Sequence, residues 1–346
     1  MNTYLMKKAI IEAAVSRGIK EMEEDPERSV RRLADLGRQF SKNRFQDQVF
    51  SVMQELLNNE NSAYYDMVAN LLKNSDHESM KKFGVNFGYM SWAYGASMIR
   101  KEEESKGFCI PWTIMFQYDS TREDGLSIER LAPILEQGMD LGIYAYFIRE
   151  CAGGTESYEL LELLEKYKDA AFVWIKESGR LTAAQIQMLK VCKNTVVSLP
   201  IEDPESLLTA ALLRDQKVIF AMHLNYDNNV CPEVISPIME NVLTSETSLF
   251  FLIPETGTDP AVQERVQKYC YESRLRQDYP CCLMDYTGDG KSISKVLVEH
   301  GELLEIGADG RIILPDGSLG EAFPFELPLA DALSKIMPPY TPKKSR

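Results

Sequence analysis

From Ile110 onward, short apolar or β-branched runs alternate with helical stretches, and that alternation confines the chain to the α/β class. The runs are Trp112–Phe116, Ile143–Ile148, Ala171–Ile175, Thr195–Leu199, Val218–His223 and Ser248–Leu252. Each is nearly continuously apolar, as a strand buried on both faces must be, and their starts recur at roughly the length of one βα unit. The stretches between them carry helix punctuation. From Ser127 to Leu141, the residues Ile128, Leu131, Leu135 and Met139 share one side, and Gly142 stops the helix. Asp203-Pro204-Glu205 opens another: the aspartate accepts from free amides of the first turn, where proline's missing N–H costs nothing. Units of this kind build either a parallel sheet curled as part of a barrel or an open, doubly wound sheet, and periodicity does not choose between them.

The flanks read differently. Residues 1–108 are expected to form a helical N-terminal domain. It has an amphipathic first helix and apolar stripes at Val30–Phe40, Phe45–Leu57, Tyr65–Leu72 and Phe83–Ile99. The charged run Lys101–Lys106 reads as a solvated helix end or linker. Residues 109–290 hold the βα units. A C-terminal extension, 291–337, carries a hairpin: Leu303–Ile306, a turn at Gly307-Ala308-Asp309-Gly310, and Arg311–Leu314. Residues 338–346 read as a flexible tail.

Charge and thiols exclude several functions. A formal net charge of −14 repels phosphate backbones and anionic lipid, so neither nucleic acid nor a membrane surface is an expected partner. No apolar run approaches the ~18 residues of a membrane span. The first helix is interrupted by Glu12 and Arg17 and does not read as a signal peptide, so a cytoplasmic location with reduced thiols is expected for the 7 cysteines. With 3 histidines and no C-x-x-C, a zinc site at usual spacing is not expected, and no residue is assigned to a metal.

In strand–helix sheets, ligands meet the C-terminal strand ends. Those ends are Gln117 to Asp119, Arg149-Glu150, Lys176-Glu177, Glu202, His223 with Asn225, Glu255, and Asp285 with Asp289. The candidate catalytic residues are His223, Glu202 and Glu150: an imidazole at the end of an apolar strand, and two carboxylates suited to acid–base work. The candidate ligand-binding residues are Asp119, Gly153, Gly154, Glu202, His223, Asn225 and Asp285. Cys151 has no local signal of activation and reads as a buried free thiol.

Several segments follow one another in a recognisable order: Lys81–Gly95 leading to Ile110-Pro111-Trp112, Leu126–Ile148, Gly153-Gly154, Glu165–Trp174, Lys193–Asp203, Ala221–Asn229, Met284–Gly290 and Glu305–Gly310. In order and spacing they resemble the landmarks of a SPASM-like bacterial subgroup of the radical S-adenosylmethionine (radical SAM) superfamily. The resemblance implies a partial (β/α)6 TIM-like barrel behind the helical domain. It also implies a [4Fe–4S] cluster held by a C-x3-C-x2-C motif after the first strand, with S-adenosylmethionine on the open iron.

The departures from that pattern bear directly on chemistry. Where the motif belongs the chain reads Gln117-Tyr118-Asp119-Ser120-Thr121-Arg122-Glu123-Asp124-Gly125, without a cysteine. Carboxylates and hydroxyls are poor substitutes for thiolates at such a cluster. Thr155-Glu156 replaces the family's Glu-Pro after the Gly-Gly pair, and Val296 and Pro315 stand where auxiliary-cluster cysteines belong. The expectation is therefore a catalytically degenerate radical-SAM-like protein, a pseudoenzyme without an iron–sulfur cluster, that works as a binding, scaffold or regulatory protein. Its expected partner is an active radical-SAM paralogue, a peptide or a small molecule, and a homodimer is compatible with the sequence. The alternative is a cluster-independent enzyme running hydrolysis or proton transfer at the strand-end Glu, Asp and His residues. A third reading keeps S-adenosylmethionine bound without cleaving it.

Overall fold

A computed structural model describes residues 3–24, 59, 61–119, 121–122, 125–151, 158–315 and 317–341. The predicted stripes Val30–Phe40 and Phe45–Leu57, the Gly153-Gly154 pair and the last five residues lie outside the described residues.

The βα alternation folds into one parallel sheet. Its strands are β1 (Thr113–Tyr118), β2 (Ala145–Glu150), β3 (Ala171–Ile175), β4 (Thr195–Pro200), β5 (Phe220–Tyr226), β6 (Leu249–Pro254) and β7 (Cys282–Asp285). They pair in sequence order, all parallel. Beyond β1 lies β8 (Leu304–Ile306), also parallel to it, followed by the antiparallel β9 (Arg311–Ile313) and β10 (Leu319–Ala322). The short strand β7 adds a seventh parallel unit to the six read from the sequence.

Contacts between distant strands decide the shape that periodicity left open. In a flat sheet, β2 and β6 would stand about 19 Å apart, given strand spacings near 4.8 Å. Yet Phe147 on β2 packs edge-on against Phe251 on β6 with ring centroids 6.3 Å apart. Arg149 Nη2 donates to Asn225 Oδ1 of β5 at 3.1 Å. The sheet is therefore curled into a partial barrel, with β7 and β10 as its unpaired ends. Side chains alternate across each strand, so neighbours of these inward residues face out. On that outer face Phe116, Tyr146 and Phe172 stack in a row. The Tyr146 hydroxyl donates to backbone carbonyls, Ile143 O at 2.8 Å and Leu135 O at 3.3 Å, which ties the row to the covering helix.

The helices run in chain order: α1 (Thr3–Glu24), α2 (Ala63–Asn74), α3 (His77–Gly84) and α4 (Ala96–Lys106), the last two joined by the π-helical segment Val85–Gly95. Then come α5 (Ile128–Leu141), α6 (Glu159–Lys166), α7 (Ala183–Val191), α8 (Ser206–Asp215), α9 (Pro232–Ser245), α10 (Pro260–Arg276), α11 (Tyr286–Leu297) and α12 (Leu329–Ile336). The π segment ends at Gly95, which abuts Gly142 at the left-handed end of α5 (φ 102°). A Cβ on Gly142 would meet the Gly95 carbonyl at 2.6 Å, so this crossing requires glycine.

The structure corrects two expectations here. The run Lys101–Lys106 is not simply a solvated helix end: Glu103 is fully buried and accepts from the Ile110 amide at 2.8 Å, because α4 docks beneath β1. His223 does not end its strand. Leu224 and Tyr226 continue the outward apolar alternation, so β5 runs on to Tyr226 and encloses the imidazole.

Candidate functional site at the mouth of the partial barrel

The C-terminal strand ends converge on a cavity of about 110 Å3. Gln117 of β1, Arg149 of β2, Glu255 after β6, Tyr286 and Lys291 of α11, and Glu305 of β8 all line it. The turn after β9 lies across its edge, where Gly317 approaches the Gly257 amide closely enough that a Cβ would sit 3.2 Å from it.

Two hydrogen bonds organise the cavity wall. Gln117 Nε2 donates to Glu305 Oε1 at 3.0 Å, joining β1 to β8. Arg149 donates to Asn225 across the mouth, and among the described residues this is the one hydrogen bond of its guanidinium. Burial pushes the Glu305 carboxyl up, and Gln117 and the Arg149 charge pull it partly back. Arg149 and Glu305 thus face each other without forming an ion pair. The charges of both act on the Tyr286 hydroxyl, which is buried and makes no hydrogen bond among the described residues. Its ring is held edge-on against Phe147, with centroids 5.6 Å apart at 86°, so packing sets where the hydroxyl sits. Burial holds that phenol far above its ordinary range, and it remains an O–H donor at neutral pH.

The sequence candidates are not brought together as one group. Asn225 is at the mouth, on Arg149. Glu255 reaches the cavity, and exposed Glu202 is near enough to Glu255 that burial and then its charge raise the Glu202 carboxyl. His223 is 1% exposed, shares a hydrogen bond from Nδ1 to Ser198 Oγ at 3.0 Å, and is lowered to about 3 by burial and by the Arg149 charge. It is neutral across the physiological range. Asp119 is occupied locally, accepting from the Thr121 amide at 2.9 Å and hydroxyl at 2.6 Å. Glu150 follows Arg149 and therefore faces outward, where it forms a buried ion pair with Lys176, whose ammonium also lies over the Trp174 ring at 4.7 Å. Asp285 caps α11 by accepting from the Gly288 amide, and also accepts from the Tyr226 hydroxyl at 2.9 Å; burial raises it to about 6. Asp289 is held by Arg274 through two bonds of 2.7 and 2.8 Å. The Cys151 thiol is pushed up to about 11, chiefly by burial, and stays protonated at neutral pH.

Glu305, Tyr286 and Lys291 were not singled out in the sequence. Glu305 belongs to a three-residue strand whose parallel pairing with β1 leaves no local signature. The available signal for Tyr286 was its place immediately after the Asp285 cap.

Among the described residues, one group of three potential metal ligands lies close together: Glu103, Cys109 and His300. It sits at the opposite end of the barrel, before β1 and β8. His300 Nδ1 accepts from the Glu302 amide at 3.2 Å, so Nε2 carries the proton and donates to Glu103 Oε1 at 2.7 Å. That tautomer makes a hydrogen-bonded pair and leaves no ring lone pair for a metal.

No protein-family model matches the chain, and no curated protein matches it. Solved structures do. SuiB of Streptococcus suis bound to the precursor peptide SuiA is 14% identical, with 68% of this chain and 67% of that chain covered and a TM-score of 0.49. SuiB bound to S-adenosylmethionine is 13% identical, covering 68% and 66%, with a TM-score of 0.49. The 3-dehydroquinate dehydratase of Geobacillus kaustophilus HTA426 is 10% identical, covering 64% and 88%, with a TM-score of 0.39.

Proposed function

We propose that this chain is a radical-SAM-like protein that works without an iron–sulfur cluster, as a binding or regulatory protein whose ligand enters the cavity at the barrel mouth. One observation carries the reading: the donor set there is the wrong chemistry for a cluster. The end of β1 offers the Gln117 amide, already committed to Glu305, and the segment after it the Asp119 carboxylate, already closing a turn with Thr121. Iron–sulfur clusters take thiolates. Cys151, just after β2, has its thiol held protonated by burial.

The positive half is binding. A curled sheet, a polar-lined cavity and an unpaired buried hydroxyl together make a receptor for a small molecule or for part of a peptide. An active paralogue is a second kind of partner, for which the chain would present or withhold that ligand. Among the described residues no helix is long and apolar enough to cross a membrane.

Anaerobic reconstitution with iron and sulfide tests the negative half. The expected outcome is no stoichiometric [4Fe–4S] absorbance or paramagnetic signal after reduction. A stoichiometric, protein-bound cluster overturns the reading.

A cluster-independent enzyme is the second reading, and Glu305 favours it: a carboxyl pushed up by burial beside a cavity is placed for proton transfer. Turnover in a metabolite screen that Glu305→Gln abolishes would support it, and turnover unaffected by that change would remove it.

A further inference from the structure

Three features of the cavity specify the chemistry of what it holds. The first is Tyr286, a residue 6% exposed that lines the cavity and whose hydroxyl is buried in the wall, hydrogen-bonded to nothing among the described residues. Buried polar groups are nearly always satisfied, so an orphaned one in a cavity wall marks a place for a partner. The second is Arg149, which spends one of its five N–H donors on Asn225 and turns the guanidinium to the same cavity. The charge of Arg149 acts on Tyr286, on Glu305 and on His223, which places it at the centre of the group. Two convergent donors require an acceptor. The third feature is the acidic rim: Glu255, Glu302 and Glu305 line the same space against Arg149 and Lys291. With three carboxylates against two cations, each further negative charge on a ligand adds repulsion, so a dianion is disfavoured more than a monoanion, and a carboxylate is the monoanion whose two oxygens match the guanidinium fork.

We propose that the mouth takes its ligand through a carboxylate group, gripped between the Arg149 guanidinium and the Tyr286 hydroxyl. The proposal rests on the reading of the mouth as a ligand site and names the chemistry of that ligand. The cavity of about 110 Å3 is small and opens at the mouth, so the charged end of a ligand is enclosed while the rest of it points outward. That end is a carboxylate with a short side group, from either a small organic acid or the C-terminal end of a peptide whose remainder leaves through the mouth.

Calorimetric titration of the full chain with N-acetylalanine, N-acetylalaninamide, propionate and methyl phosphate tests it. N-acetylalanine is expected to bind, with the amide and the phosphate weaker by about tenfold or more. Propionate binding as tightly as N-acetylalanine assigns a free small acid; weaker propionate binding assigns a peptide end. The Tyr286→Phe variant should lose about five- to tenfold in affinity while melting at the same or a higher temperature, since the change removes an unpartnered buried hydroxyl. Arg149→Gln should abolish binding. Equal affinity for acid and amide, unchanged affinity in Tyr286→Phe, or no carboxylate binding at all overturns the proposal. None of those results depends on the cluster reconstitution, so the two readings fail separately.

Discussion

Burial moves His223 and Asp285 in opposite directions on the pH axis. His223 falls from 6.5 to about 3 on folding, so between those values the unfolded chain binds the extra proton and stability drops as pH falls. Asp285 rises from 3.8 to about 6, so there the folded chain binds the extra proton and stability grows as pH falls. Over the interval from 6 down to 4 the two slopes oppose each other. Asp285→Asn should expose the histidine's slope. The variant keeps an oxygen for the Gly288 amide and loses the buried charge, so it should match or exceed the parent at pH 7. Relative to the parent it should then lose about 2 kcal/mol on acidification to pH 4, the equivalent of a shift of roughly two pK units discounted for relaxation. Urea unfolding of both proteins at the two pH values measures this, and parallel pH dependence would count against the burial assigned to Asp285.

Elements differ in how plainly the sequence announces them. Strands β1 to β6 were legible because a strand covered on both faces must be apolar at nearly every position, and such runs stand out between capped helices. Strand β7 escaped because Cys282–Asp285 has four residues, half of them only partly buried, and no β-branched residue. The β8–β9 hairpin was legible from its Gly307–Gly310 turn, yet the parallel pairing of β8 with β1 was not, since register over such a separation has no local mark. That gap hid Glu305, and with it the cavity's shape. The length of β5 decided His223: two further outward apolar residues turned an expected strand-end imidazole into an enclosed one. Helix crossings follow the same logic. Gly95 and Gly142 meet backbone to backbone, so Gly95→Ala forces the π segment away from the end of α5. That overpacking should cost about 1–3 kcal/mol, with a matching fall in urea midpoint. Gly84, whose missing Cβ has open space, is the control, and Gly84→Ala should not destabilise.

At the scale of the whole molecule, the two ends of the barrel divide the work. The mouth collects groups that are incompletely satisfied, and the opposite end is locked. There α4, the lead-in to β1 and the approach to β8 meet at Glu103, whose Oε1 receives both the Ile110 amide and His300 Nε2. Beside them the chain's last described residues are tied down: Cys109 N donates to Pro338 O at 2.9 Å, and Tyr340 N to Gly107 O at 3.0 Å. Stretches far apart in sequence are thus joined through one carboxylate oxygen. Its other oxygen, Oε2, is buried and without a hydrogen bond among the described residues, so no described donor depends on it. An amide oxygen can accept the same two donors. Glu103→Gln should therefore cost only about 1 kcal/mol, for the amide N–H2 that takes the place of the unpartnered Oε2. Glu103→Ala strands a backbone amide and an imidazole in the interior and should cost about 3 kcal/mol. Limited proteolysis locates the damage: in Glu103→Ala, cleavage should appear first near residues 107–110 and 338–341, while the mouth stays protected. Equal loss in both variants would mean that the charge, rather than the acceptor, holds this end of the barrel together.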